Sequence, residues 1–461
     1  MATDARGITL TGATPQNALV FDAIISDYLD YKLSTFPNLK ALCAAAPDFA
    51  MAHLMKGFLL LSLGSNSTVP AALACAEHVT KLQTNLNTRE ALHLQALKAW
   101  ATGNPVLACK NWDDILFGEP RDILALKLQH FSLFWLGRAQ HMRDAAARVL
   151  PAWDDTMTGH AQVLGMYAFG LEETGDYMQA EKIGRAAVES HPDDLWAIHA
   201  VAHVYEMRGD LSEGTKWLNQ PLSSWDDRNP FKDHLWWHTA MFAYERGDFT
   251  RVLGLYDAAV WPDNSTFYLD VQNAASLLAR LEFSGVDVGQ RWKALSTAAQ
   301  DRNGDHVLLF TEPHYTMAFG HEGAFDQADS QIASLERLGA QPGAENAVVV
   351  NNLTLPICNA IRAYYQGDYA QTIKTLMPIR YDYQPIGGSH AQRDVFNIFL
   401  MDAAIRNGDT TLARALLAER AAAHPNSFST WQKYADLSTA LGDTVAAEKA
   451  QTELSRIKAV A

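Results

Sequence analysis

Cysteine is scarce in this chain of 461 residues: there are four, at positions 43, 75, 109 and 358, with no C-x-x-C pair among them. Such scatter indicates neither a disulfide framework nor a thiolate zinc site, and the four are expected to be reduced core residues that activity does not need. Long apolar runs are missing too. Residues 57–63 form one of the longest, far short of the roughly 20 residues that span a bilayer, so no membrane role is expected. The opening Met-Ala-Thr-Asp-Ala-Arg lacks the basic and apolar segments of a secretory leader, which makes the cytoplasm the expected location. Positive charge is the next shortage. Against 52 Asp and Glu stand 37 Lys and Arg, a formal net charge of −15, which argues against a nucleic-acid backbone as partner. The signatures G-x-x-x-x-G-K-[ST], G-x-S-x-G and H-E-x-x-H are also absent.

What the chain does have is ample core material, 48% hydrophobic against 19% charged, and a recurring glycine. Gly64, Gly103, Gly137, Gly175, Gly209, Gly247, Gly285, Gly323, Gly367, Gly408 and Gly442 each close one apolar-periodic segment and precede another. Subtracting neighbouring positions gives spacings of 39, 34, 38, 34, 38, 38, 38, 44, 41 and 34. The value 34 is the tetratricopeptide period, and the longer values add loop residues to the same unit. Six of the glycines are followed by an aspartate (Asp176, Asp210, Asp248, Asp368, Asp409, Asp443) suited to cap a second helix. Small residues at Ala180, Ala187, Ala413 and Ala447 suit close helix approach. Interruptions rich in Pro, Gly, Asp or Asn fall at residues 223–230, 262–266, 339–343 and 381–389. The pattern predicts an all-α solenoid of about eleven helix-turn-helix repeats, continuous over residues 1–461, with residues 445–461 as a C-terminal capping helix.

Histidine follows the same period. His199 and His238 each stand six residues before a Tyr-Glu pair and are 39 apart; His314 follows after 76 and His390 after another 76. With Ser276 and Asn352 between them, they form a polar row where first helices line a concave surface. His203 lies one turn after His199, His234 one turn before His238, and Asp394 one turn after His390. Gln272, Asn273, Asn351 and Arg393 are near in sequence. A pair at i, i+4 places two imidazoles on one helix face, the geometry of metal ligands, while His390 with Asp394 suits an acid/base histidine held in one tautomer by a carboxylate. His199, His203, His234 and His238 are expected to be able to meet, whereas His314 and His390, two repeats apart, can join them only if the superhelix closes on itself. Of the adjacent Trp236 and Trp237, one is expected to face solvent or a ligand. His191 and His424 precede prolines and suit helix C-termini.

The segments His199-Ala-Val-Ala-His-Val-Tyr-Glu-Met-Arg-Gly-Asp210, His234-Leu-Trp-Trp-His-Thr-Ala-Met-Phe-Ala-Tyr-Glu-Arg-Gly-Asp248 and Gly388-Ser-His-Ala-Gln-Arg-Asp394 resemble bacterial members of the tetratricopeptide repeat protein 38 family. The resemblance extends over most of the chain and implies a helical-repeat fold and a cytosolic location, with no activity attached.

Two functions fit these residues. In the first, the concave, histidine-rich interior binds a peptide, a protein segment or a small polar ligand. In the second, the same cluster is an enzyme's, with His199, His238, His390 and Asp394 as acid/base or metal-assisted catalysts of hydrolysis or elimination, and His203, His234, His314, Asn352, Arg393 and Trp237 contacting the ligand. Spacing names no metal, cofactor or oligomeric state. On either reading His238→Ala is expected to remove binding or turnover while leaving stability within about 1 kcal/mol of the parent.

Overall fold

The computed structural model describes residues 2–82, 86–341 and 346–460, so residues 342 and 343 of the loop expected at 339–343 lie outside it. Helices dominate. Strand pairing among the described residues is confined to Ala2–Thr3 against Thr9–Leu10 and a single bridge between Lys32 and Arg228. Among the described residues no helix is long and apolar enough to cross a membrane. The architecture is the all-α, tetratricopeptide-like succession of helix pairs that the glycine spacing predicts.

All eleven glycines sit in the left-handed region, with φ from 61° to 85°, each just after the first helix of a pair. That conformation crowds a Cβ, which is why glycine recurs there. The turn at Gly175 illustrates how the chain reverses. The Gly175 N–H donates to Glu172 O and the Asp176 N–H to Leu171 O, both at 2.9 Å, satisfying carbonyls that the ending helix leaves open. The Asp176 carboxylate then accepts the Gln179 N–H and starts the next helix. Asp248, Asp368, Asp409 and Asp443 cap in the same way. Asp210 does not: its carboxylate pairs with Arg208 at 2.9 Å, and the helix Leu211–Trp217 has no side-chain cap.

The chain divides into two compact units, Met1–Val201 with Trp225–Phe231, and Ala202–Ser224 with Lys232–Ala461. In the first, Phe21, Phe49, Phe58, Trp112 and Phe169 are buried between successive helix pairs. The segment Trp225–Phe231 is tied to the loop after the helix Pro15–Leu29: Leu33 N–H donates to Asp227 O (3.0 Å) and Asn229 N–H to Tyr31 O (2.7 Å). Ala180 and Ala187 are fully buried where their helices meet.

The second unit turns back on itself. Asn426 Nδ2 donates to Gly209 O (2.7 Å), the Phe428 ring lies on Gly247, and Lys433 stands 5.0 Å over the Phe283 ring. Deeper in, the fully buried Arg280 donates to Ala391 O (2.8 Å), and Asp394 is clasped through both oxygens by Arg420. Repeats near residue 210 therefore meet repeats near residue 430. Ala413 is buried as expected, whereas Ala447 is only half-buried and Ala450 takes the inner position of the final helix, Thr444–Val460, beside Trp431 and Leu454.

Gly247 and Gly285 separate turn geometry from this closure. Both have φ near 80°, but a Cβ on Gly247 would meet the Phe428 ring at 2.7 Å while one on Gly285 meets nothing within 4 Å. Gly285→Ala is expected to cost about 1–2 kcal/mol from the left-handed backbone alone, and Gly247→Ala at least about 1 kcal/mol more from overpacking. Urea unfolding of the two variants measures the difference; equal losses would mean that the Phe428 contact contributes nothing.

Candidate metal centre

Three helices of the second unit bring the polar residues together. Residues 202–208 of the helix Leu195–Arg208 carry His203 and Glu206, three apart and on one face. The helix Phe231–Glu245 carries His234 and His238, and Tyr268–Phe283 carries Asn273, Ser276 and Arg280. Adjacent first helices are stitched by hydrogen bonds between side chains 39 positions apart. His234 Nδ1 pairs with Asn273 Oδ1 (2.8 Å), Trp237 Nε1–H donates to Ser276 Oγ (3.2 Å), and Gln272 Nε2–H to Thr311 Oγ1 (2.7 Å). The polar periodicity of the sequence is thus a lateral ladder, one repeat per rung.

At its near end the ligand atoms of His203, His234 and His238 lie within 4.8 Å of one another. All three residues are buried. His238 Nε2 faces His234 Nε2 at 3.3 Å, and the His203 and His238 rings are 4.5 Å apart. His238 Nδ1 pairs with Glu206 Oε2 at 2.8 Å. With Nδ1–H donated to Asn273 Oδ1, His234 Nε2 carries a lone pair; His238 Nε2 carries one as well when Glu206 is ionised and accepts the His238 Nδ1–H, and two lone pairs 3.3 Å apart repel unless a cation or a proton stands between them. The Trp237 ring stacks on His234, 5.4 Å away and 9° from parallel, and holds it in place.

Burial sets the charge state. It drives His238 down to about 3 and holds His203 and His234 well below the usual histidine range, with the neighbouring imidazoles adding to the effect. The imidazoles are therefore neutral, as metal ligands must be. Burial also pushes Glu206 up to about 7, against the pull of Arg280 and His424.

The other residues singled out in the sequence have partners of their own. His199 belongs to the first unit, where its ring stacks on Phe169 at 5.2 Å and packs against Trp196 and Phe231. His314 is buried but pairs through Nδ1 with Phe310 O of its own helical segment (2.9 Å), between Phe310 and Phe396. His390 is half-buried at the start of the helix His390–Arg406; its Nδ1 accepts from Arg393 Nη2 (3.2 Å), and it is near enough to depress His203. Asp394 does not serve His390. Both its oxygens go to Arg420, whose guanidinium, with His424 and Arg280, holds the carboxyl far below its usual range despite burial.

Asn352 is exposed, because residues 350–354 form a π-helical turn whose extra residue rotates the following face. Trp236 and Trp237 are both buried, so neither faces solvent; the helix lies between packed neighbours on both sides. Glu206 and Arg280 are charged residues of this interior that sequence reasoning passed over. Glu206 is the acid of the first Tyr-Glu pair, and Arg280 is the one charged residue in the run Ala274–Leu281. A small cleft lined by Ala279, Glu282, Tyr364 and Asp402 includes none of the three histidines.

No family model matches the chain. Among solved structures, the human IFIT1 dimer with PPP-AAAA is similar over 97% of this chain and 96% of that one, at 12% identity and a TM-score of 0.43. The TPR domain of P58(IPK) is similar over 81% of this chain and 98% of its own, at 12% identity and a TM-score of 0.22. Naa15/Naa10 bound to HypK-THB is matched over 96% of this chain and 63% of that one, at 14% identity and a TM-score of 0.21. At such similarity no ligand is carried over from them.

The buried histidines make stability depend on pH. In the unfolded chain they protonate near 6.5 and in the folded one far lower, so below about 6.5 the unfolded state holds more protons and stability falls with pH. Glu206, raised by burial from its ordinary 4.5 to about 7, opposes this, as do Asp194, Asp233 and Asp270, while His53, His130 and His314, also held below the usual histidine range by burial, add to it, so these six histidines stand against these four carboxyls. Urea midpoints of the metal-free protein are expected to fall from pH 6.5 towards pH 4. The same burial corrects the expectation for His238→Ala, which strands Glu206 and His234 and is expected to cost about 1–3 kcal/mol.

Proposed function

We propose that the protein is a helical-repeat binding protein whose ligand is a divalent transition-metal ion of the zinc class, held by His203, His234 and His238. The observation that carries this reading is the 3.3 Å between His234 Nε2 and His238 Nε2. A tetrahedral ion with bonds of about 2.05 Å sets its ligand atoms about 3.3 Å apart. The second layer fits the same task. Glu206 and Asn273 each take a histidine Nδ1, fixing the ring orientation and leaving Nε2 for the ion. The formal net charge of −15 favours a cation over a phosphate backbone.

A second reading, metal-assisted hydrolysis of a small polar substrate, would need a position on that ion open to water or substrate. We also read the two units as one continuous run of repeats, since the helix Leu195–Arg208 contains the division between them, with the final helix as its cap. The three segments quoted above support descent from the tetratricopeptide repeat protein 38 family, and four buried free thiols suit the reducing cytoplasm.

Elemental analysis and zinc titration of the purified chain test the proposal. One equivalent is expected, with affinity reduced about 10–100-fold in Glu206→Gln, which keeps the shape of the side chain but weakens its hold on His238. An equal isotherm for the variant, or no uptake by the parent, contradicts it.

A further inference from the structure

The first unit holds a second polar interior built on a different chemistry. Lys127, on the helix Ile123–Trp135, is 2% exposed. Its Nζ donates to Tyr31 Oη at 2.9 Å, its one hydrogen bond among the described residues. The rings of Tyr31, Phe131 and Trp196 surround the nitrogen at 4.7, 4.8 and 4.8 Å. Tyr31 is held for this contact in the left-handed region at φ 61°, a strained setting for a tyrosine, with Asn229 N–H anchoring its carbonyl at 2.7 Å.

A lysine with a purely structural role, this deeply buried, would be saturated by carboxylates, and the carboxylates of this pocket are engaged elsewhere. Asp30 Oδ1 accepts from Gln162 Nε2 (3.1 Å) and pairs with His191 Nε2 (2.9 Å). Asp194 Oδ1 accepts the N–H groups of Trp196 and Ala197. Asp194 Oδ2 is buried with no hydrogen-bond partner, and Gly165 keeps the space beside it, since a Cβ there would come within 2.7 Å. An amine and a carboxyl oxygen are thus both short of partners in one aromatic-walled interior.

We propose that Lys127 is a carbonyl-capturing amine, whose Nζ condenses with a small neutral aldehyde admitted among the Tyr31, Phe131 and Trp196 rings while Asp194 Oδ2 carries the proton. The lone pair of Nζ forms a C–N bond to the carbonyl carbon while the C=O π pair moves to oxygen, which takes up the proton that nitrogen gives up, and the result is a carbinolamine. The hydroxyl then leaves as water with a proton from the Asp194 carboxyl as the nitrogen lone pair closes the C=N bond, and the iminium N–H returns a proton to the Asp194 carboxylate to give the imine; nothing is oxidised or reduced. Burial supports this by lowering the Lys127 ammonium well below the usual lysine range, against the pull of Asp194 and Asp30, and by raising Asp194 above the usual aspartate range. The nearby Asp30 and Asp194 disfavour an anionic 2-oxo acid, and the enclosure favours a small compound. The proposal stands whether or not the histidines hold a metal.

The full chain treated with acetaldehyde and cyanoborohydride at pH 7, then mapped by peptide mass spectrometry, tests this. Lys127 is expected to be alkylated at least about tenfold faster than the exposed lysines, because more of it is neutral. Lys127→Met removes the fast adduct, and Asp194→Asn, which keeps the helix-capping oxygen, slows it severalfold. Labelling of exposed lysines alone in the folded protein, with Lys127 labelled only in urea, overturns the proposal. Pyruvate trapped as fast as acetaldehyde overturns the assignment to neutral aldehydes. The parent's peptide map decides even if the Met variant fails to fold.

Discussion

The pairing of His238 Nδ1 with Glu206 governs the histidine interior of the second unit. An imidazole with no exposure to water loses its hydration and must find partners inside the protein. Glu206 supplies one on the nitrogen that faces away from the other histidines and so turns Nε2 towards them. Asn273 does the same for His234 from the next helix. Because each partner lies on a neighbouring first helix, the bonds that orient the rings also hold adjacent repeats in register. Trp237 to Ser276 and Gln272 to Thr311 extend that lateral connection. Disturbing the register by a single residue, as the π-helical turn at residues 350–354 does, removes Asn352 from the interior.

Most of the fold was legible in the sequence, because a helix reversal imposes a local demand. Only glycine takes φ near 80° without strain, and an aspartate three positions past the helix end can satisfy the next helix's N–H groups, so Gly175-Asp176 and its kin announce themselves. Asp210 shows the limit, since an arginine two residues away competes for the same carboxylate.

The site was legible in part. The i, i+4 spacing places His234 and His238 on one face, and the helix delivers them so. Spacing says nothing about which carboxylate a histidine meets across the structure. Asp394 looked suited to His390 one turn away, yet the closed second unit brings Arg420 to it, and a bidentate guanidinium is a stronger partner than a half-buried imidazole. His314 follows the period but spends its Nδ1 on the carbonyl of Phe310, a local bond with no signature in repeat spacing. Lys127 was invisible for a related reason: the aromatic rings around it come from positions 31, 131 and 196, which only the fold assembles.

The two interiors divide the chemistry of the chain. One unit buries neutral imidazoles with lone pairs directed at a common point, and the other buries an amine among rings with a carboxyl beside it. For the first, crystallographic anomalous scattering at the zinc edge, on crystals grown with one equivalent of zinc, is the most direct measurement. The account predicts a single strong peak about 2.0–2.1 Å from the facing nitrogens of His234 and His238, with His203 as the third ligand. Strong peaks only at surface carboxylates, with the 3.3 Å gap between the two Nε2 atoms left without metal density, would contradict it.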